Sequence, residues 1–199
     1  MKTSLLPTLL AAAAFAAPAF AQTQVEVQCQ LADGRATGCY YCPGWQFVIK
    51  FVGTNLQSTA VNLNLFQNGH CTLQGTWNGS VLTVTSAVAS ADTFSIGGNG
   101  TIGNKYRFTT DGAAGDLALN LVALGTAFLP VFGNQALMLN PANTQPLTAG
   151  LIDSGLQWKS DLDIPNNPSL IGLRLFGQGV KVSPAGVIKL TNIDAKEVR

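Results

Sequence analysis

Along most of this chain apolar side chains recur at every second position, not every third or fourth, which is the spacing of a strand with one buried face. Val25-Glu26-Val27-Gln28-Cys29-Gln30-Leu31 shows it most cleanly. The pattern returns in Phe47 to Phe51, Val61 to Leu65, Leu82 to Thr85 and Tyr106 to Phe108, and again in Leu117 to Leu121, Leu156 to Lys159, Leu173 to Phe176 and Val187 to Leu190. Asp33-Gly34, Asn68-Gly69, Asn78-Gly79 and Asp111-Gly112 supply residues that tolerate the positive φ of a tight reversal. With 21 glycines and prolines at 130, 141, 146, 165, 168 and 184, little room is left for helix. Only Pro168-Ser169-Leu170-Ile171 predicts a helical turn. The expected fold is all-β, an antiparallel β-sandwich of short strands, built either as one sandwich or as two small packed β units.

The first 21 residues break the alternation. Lys2, the apolar run Leu5 to Phe20 and the small-residue site Ala19-Phe20-Ala21 have the layout of a cleaved signal peptide. The predicted organisation is therefore a signal peptide over 1–21, a disulfide-containing β unit over 22–91 and a β-sandwich tail domain over 92–199. The internal boundary is set at the small Ala/Ser stretch from Ala87 to Asp92. An exported chain is secreted, held at the cell surface or periplasmic.

Charge narrows the partners. Charged residues are 11% of the chain, and without Lys2 ten Lys and Arg face ten Asp and Glu. Such a neutral protein lacks the basic field that attracts nucleic acid or anionic lipid. The most apolar later stretch, Leu117 to Phe132, is broken by Asn120, Gly125 and Pro130, so no membrane span is expected. The strands also read as shorter than the roughly 9 to 11 residues of an outer-membrane barrel.

Cys29, Cys39, Cys42 and Cys71 all lie in the first half. In an exported chain an even set predicts two structural disulfides. A hairpin at Asp33-Gly34 would bring Cys29 to Cys39 and leave Cys42 for Cys71; the main rival joins Cys39 to Cys42 and Cys29 to Cys71. Cys39-Tyr40-Tyr41-Cys42 has the spacing of a thiol-disulfide oxidoreductase, but Gly44 to Phe47 reads as strand where that chemistry wants a helix N-terminus. A zinc site from these cysteines, with or without His70, suits an oxidising compartment poorly.

Other chemistry is sparse. His70 is the sole histidine and reads as a solvated turn residue after Asn68-Gly69, with no G-x-S-x-G elbow to accompany it. Asp153, Asp161 and Asp163 could offer oxygens to calcium, yet the loop pattern of a calcium site is absent and the expectation is no metal and no cofactor. Trp45, Trp77 and Trp158 could stack on sugar rings, or could simply be core. Asn78-Gly79-Ser80 and Asn99-Gly100-Thr101 match a glycosylation sequon but read as turns.

From about Asp92 onward the order of features resembles a C-terminal β-rich tail domain of uncharacterised secreted planctomycete and myxobacterial proteins. The resemblance is carried by Gly100 to Phe108, the loop Gly112-Ala113-Ala114-Gly115, Asp163-Ile164-Pro165-Asn166-Asn167-Pro168-Ser169-Leu170-Ile171-Gly172-Leu173, Phe176-Gly177-Gln178 and Lys189-Leu190-Thr191-Asn192. It implies an accessory domain and brings no catalytic residues. Together these readings predict a non-enzymatic secreted or cell-surface protein with a structural or interaction role, whose partner would be a polysaccharide or another surface protein. A carbohydrate-binding module is the alternative, and a thiol-disulfide oxidoreductase a remoter one.

Overall fold

The computed structural model describes residues 22–33 and 47–199. The predicted signal segment, Cys39, Cys42 and Trp45 lie outside them. The protein is all-β, as its alternation predicts. Five strands come first: β1 (Thr23–Asp33), β2 (Phe47–Ile49), β3 (Asn55–Gln57), β4 (His70–Trp77) and β5 (Val81–Ala89). They form a closed barrel in the order β1-β2-β3-β5-β4. Closure follows from the length of β1, which pairs with β4 from Thr23 to Gln30 and with β2 from Leu31 to Asp33, so that one strand serves two neighbours. β3 runs parallel to β5, whereas every other pairing between strands is antiparallel. This order and these directions are those of an OB-type Greek-key barrel. The first unit is thus a sheet closed on itself, and not half of a sandwich.

Val25, Val27, Cys29 and Leu31 point inward from β1 and meet Phe47, Ile49, Leu56, Cys71, Leu73, Leu82 and Val84. Gln24, Glu26, Gln28 and Gln30 occupy the alternate positions. That is the reverse of a lipid-facing barrel, whose apolar band points out. β1, β14 (Ile188–Glu197), β5 and β13 (Arg174–Val182) are nine to eleven residues long, so the strands are not uniformly short. The connection from β3 to β4 corrects a second expectation. Val61 to Leu65 alternates, yet Leu63–Phe66 is a 3-10 turn. The Asn62 side chain accepts from the Asn64 backbone N–H at 3.2 Å, and that local bond competes with a strand ladder. Leu63 from this turn joins the barrel core, while Leu65 is 77% exposed. The Phe47 run also ends early, at Ile49, where the chain turns.

The remaining strands form a sandwich. Strands β6 (Phe94–Gly97), β7 (Lys105–Asp111) and β12 (Gln157–Asp163) make a three-stranded sheet, β12-β7-β6. Facing it is a four-stranded sheet of order β11-β8-β13-β14, with β8 at Leu117–Ala123 and β11 at Gln145–Leu151. β9 (Thr126–Pro130) and β10 (Ala136–Leu139) form a separate hairpin. Phe94, Ile96, Tyr106, Phe108, Ile164 and Val198 fill the space between the sheets, with Leu162, Leu170, Leu173 and Leu175 packed against them. Each fully buried side chain of this size is worth about 1.5–3 kcal/mol. Gly177 lies under this cluster. A Cβ there would stand 2.7 Å from Phe94 Cζ and 2.9 Å from Phe108 Cε1, so only glycine lets the aromatic layer settle on β13. Pro168 opens a 3-10 turn, Pro168–Leu170, as its position predicts; the described residues hold further 3-10 turns at Phe132–Asn134 and Pro141–Asn143.

The four-stranded sheet is the middle layer of the molecule. Its other face meets the barrel and the β9–β10 hairpin, where Leu121, Ala123, Ala136, Met138, Leu139 and Ile193 belong to the same apolar cluster as the barrel interior. Buried polar side chains lock the layers. Asn120 donates to the Phe108 carbonyl at 3.0 Å and to Ser160 at 2.7 Å, and accepts from Thr110 at 2.6 Å. Gln178, on β13, accepts from the Met138 N–H at 2.9 Å and donates to the carbonyls of Ala136 and Thr191 at 3.2 and 2.9 Å. The change from barrel to sandwich falls at Ser90 to Thr93, because Ala87 to Ala89 still belong to β5.

Candidate functional site

Cys29 and Cys71 stand directly opposite each other on β1 and β4. Both are fully buried, and both are thiols in this structure, so the expected staple is not formed here. The register gives Cys29 the neighbour proposed by the rival pairing, not the one the Asp33-Gly34 hairpin argument favoured. Their side chains hydrogen-bond to each other. That bond and burial push the Cys29 thiol well up, while the same bond brings the Cys71 thiol down.

The two described tryptophans sit on different units. Trp77, at the end of β4, packs its ring 4.6 Å from that of Phe128 at 49° and is half-buried. Trp158, on β12, lies over Gly150 of β11, where a Cβ would come within 2.2 Å of the indole, and its Nε1 donates to the Thr148 carbonyl at 3.3 Å. One indole face of Trp158 is therefore taken up by the chain itself, and the two rings do not share a platform.

Two of the three carboxylates considered for calcium are held by cations. Asp161 accepts from Arg107 Nε at 2.9 Å and Nη2 at 3.2 Å, and Asp163 lies 3.3 Å from Lys105 Nζ. The Arg107 hydrogen bonds hold the Asp161 carboxyl below its ordinary value. Asp153 caps its own turn through Gly155 N–H at 2.7 Å. Among the described residues no group of three or more His, Cys, Asp or Glu side chains is placed to hold a metal ion. The Asn78 and Asn99 side chains each accept from backbone N–H groups two residues on, which is the turn role expected of them.

His70 is not a turn residue. It opens β4, pairs with Gln30, and is only 24% exposed at its side chain. Its Nε2 is 3.9 Å from Asp92 Oδ2, and Nδ1 is buried without a hydrogen bond. Asp92 is itself positioned by Asn192, whose Nδ2 donates to Asp92 Oδ1 at 2.7 Å and to the Phe94 carbonyl at 2.9 Å, while Asn192 Oδ1 accepts from Thr93 N–H at 3.0 Å. This junction of barrel and sandwich spans about a hundred residues of sequence, so no local motif could announce it.

On the barrel wall over β3 and β5, Gln57 is exposed and Asn55 and Thr83 are half-buried, while the neighbouring Val48 and Val81 are buried. Val48 is set beside Asn55, Asn55 beside Val81, and Gln57 beside Thr83. Gln57 Nε2 donates to Thr83 Oγ1 at 2.6 Å. Alternation places Asn55 and Gln57 on either side of the buried Leu56, and Thr83 after the buried Leu82.

No protein-family model, curated protein or solved structure matches the chain. No helix among the described residues is long and apolar enough to cross a membrane.

Proposed function

We propose that this chain is an exported, non-enzymatic β protein with a structural or interaction role, active at the cell surface, in the periplasm or outside the cell. The observation that carries the reading is how the polar and charged side chains are used. Asn120, Gln178 and Asn192 are spent on joining layers, and Arg107, Lys105 and Arg174 on ion pairs with Asp161, Asp163 and Glu197. Such an arrangement suits a rigid scaffold that works through its outer faces. The resemblance read from the motifs between Gly100 and Asn192 would fit an accessory role. Size-exclusion and pull-down against the outer surface fraction of the native host tests it; measurable turnover of ester, glycosidic or disulfide substrates by the purified protein would sink it.

A second reading, a carbohydrate-binding module, draws on the barrel. OB-type barrels bind oligosaccharides and oligonucleotides on the β2–β3 face, and the near-neutral charge of this chain favours an uncharged sugar over a polyanion. This is analogy at the level of fold, and Asn55, Gln57 and Thr83 are the side chains it assigns to the sugar hydroxyls. Polysaccharide pull-down should lose retention in an Asn55→Ala, Gln57→Ala, Thr83→Ala triple variant and keep it in Trp158→Ala. Equal retention in all three proteins would reject that face.

A further inference from the structure

Strand register restricts the chemistry open to the two described cysteines. Leu31 N–H donates to the Gly69 carbonyl, and Ser90 N–H donates to the His70 carbonyl. The Leu31 backbone therefore points to β4, and the His70 backbone to β5. Backbone groups two residues apart on a strand point the same way, so the Cys29 and Cys71 backbones face each other as a hydrogen-bonded pair. Such pairs have Cα atoms about 5.5 Å apart, close to the commonest separation across a disulfide. Their Cβ atoms, towards the wider end of the roughly 4.5–5.5 Å cross-strand range because non-hydrogen-bonded pairs sit closer, need to approach by about 1–2 Å to reach disulfide range.

We propose that Cys29 and Cys71 close into a cross-strand disulfide that clasps β1 to β4, a bond separate from the Cys39-Tyr40-Tyr41-Cys42 motif. The oxidant is a small-molecule or protein disulfide, such as oxidised glutathione. The thiolate of one cysteine attacks one sulfur of that disulfide and releases a thiolate; the other cysteine, on losing its proton, then attacks the mixed disulfide at the protein sulfur and releases the second. Two protein thiols lose two protons and two electrons, and one disulfide is reduced to two thiols. Both sulfurs are 0% exposed in the closed barrel, so the exchange takes place while β1 and β4 are still open, during folding. The bare alternative is that both are small apolar core residues.

Trypsin distinguishes the pairings directly. Arg35, Lys50 and Lys105 place Cys29 in one peptide, Cys39 and Cys42 together in a second, and Cys71 in a third, Phe51 to Lys105. The chain is refolded in a mixture of reduced and oxidised glutathione, its free thiols are blocked in denaturant, and it is digested without reductant. The expected product joins the Cys29 peptide to the Cys71 peptide and leaves the middle peptide unattached. A middle peptide linked to either neighbour, or blocked thiols at both Cys29 and Cys71, overturns the proposal. The oxidised protein should also melt roughly 10 °C above the protein refolded in excess reductant. That difference should persist in a Cys39→Ala, Cys42→Ala variant; its disappearance there would assign the stabilisation to the other pair. Because the bond is read on refolded protein, its failure leaves the export reading untouched, and the failure of export leaves the bond untouched.

Discussion

Single positions in this protein are constrained most where a backbone is approached closely. Gly177→Ala pushes a methyl group into Phe94 and Phe108, both fully buried, and neither ring has space to retreat. Overpacking of this kind costs about 1–3 kcal/mol, and the midpoint of urea unfolding should fall accordingly with an unchanged slope. Gly172→Ala, at a positive φ of 87° with nothing within 4 Å, tests backbone strain without crowding. The Arg107–Asp161 pair makes a different kind of prediction. Because Arg107 lowers the Asp161 pKa, whatever stability the pair contributes is present above the ordinary carboxylate range and lost as pH falls through the lowered value. Carbon-detected NMR titration should show Asp161 protonating below the ordinary aspartate range. In Arg107→Ala it should return towards its ordinary value.

At the level of strands, the side chains that matter are those tying one element to another. Gln178→Leu keeps the volume of the side chain but leaves the Met138 N–H and the carbonyls of Ala136 and Thr191 without their side-chain partner. At about 1–3 kcal/mol for each of the three buried groups left unsatisfied, a loss of at least about 3 kcal/mol is expected, read by chemical denaturation. Hydrogen exchange should then quicken first in the β9–β10 hairpin. Such ties also mark where sequence was informative and where it was not. β1 was legible in full, because its inner face is apolar and its outer face polar. β13 and β14 were legible only in part, since a strand buried on both faces carries no alternation: Gly177, Gln178 and Gly179 are all buried in succession. Val61 to Leu65 misled because alternation was judged without the Asn62 cap. The neighbour of Cys29 depends on a pairing forty-two positions away, which spacing alone does not rank.

For the molecule as a whole the decisive feature is that the barrel core extends into the middle sheet, while the sandwich keeps a second cluster between its own two sheets. The cluster that fills the barrel continues through Leu121, Ala123, Met138 and Ile193 into the middle sheet, and Gln135 bridges the units by donating to Glu26 at 3.5 Å and accepting from Leu190 N–H at 3.1 Å. Removing the barrel would expose that side of the middle sheet; removing the sandwich would open the barrel cluster on the same side. Two domains joined by a linker unfold in separate steps, whereas units that share an apolar layer lose it together. Calorimetry of the intact chain should therefore show one transition, with calorimetric and van't Hoff enthalpies in agreement. Leu121→Ala, which makes a cavity in the shared layer, should lower the single midpoint without splitting it, at a cost of about 2–5 kcal/mol. Two resolved transitions, one of them unmoved by Leu121→Ala, would mean that the barrel and the sandwich are independent folding units and that the shared layer is only a contact between them.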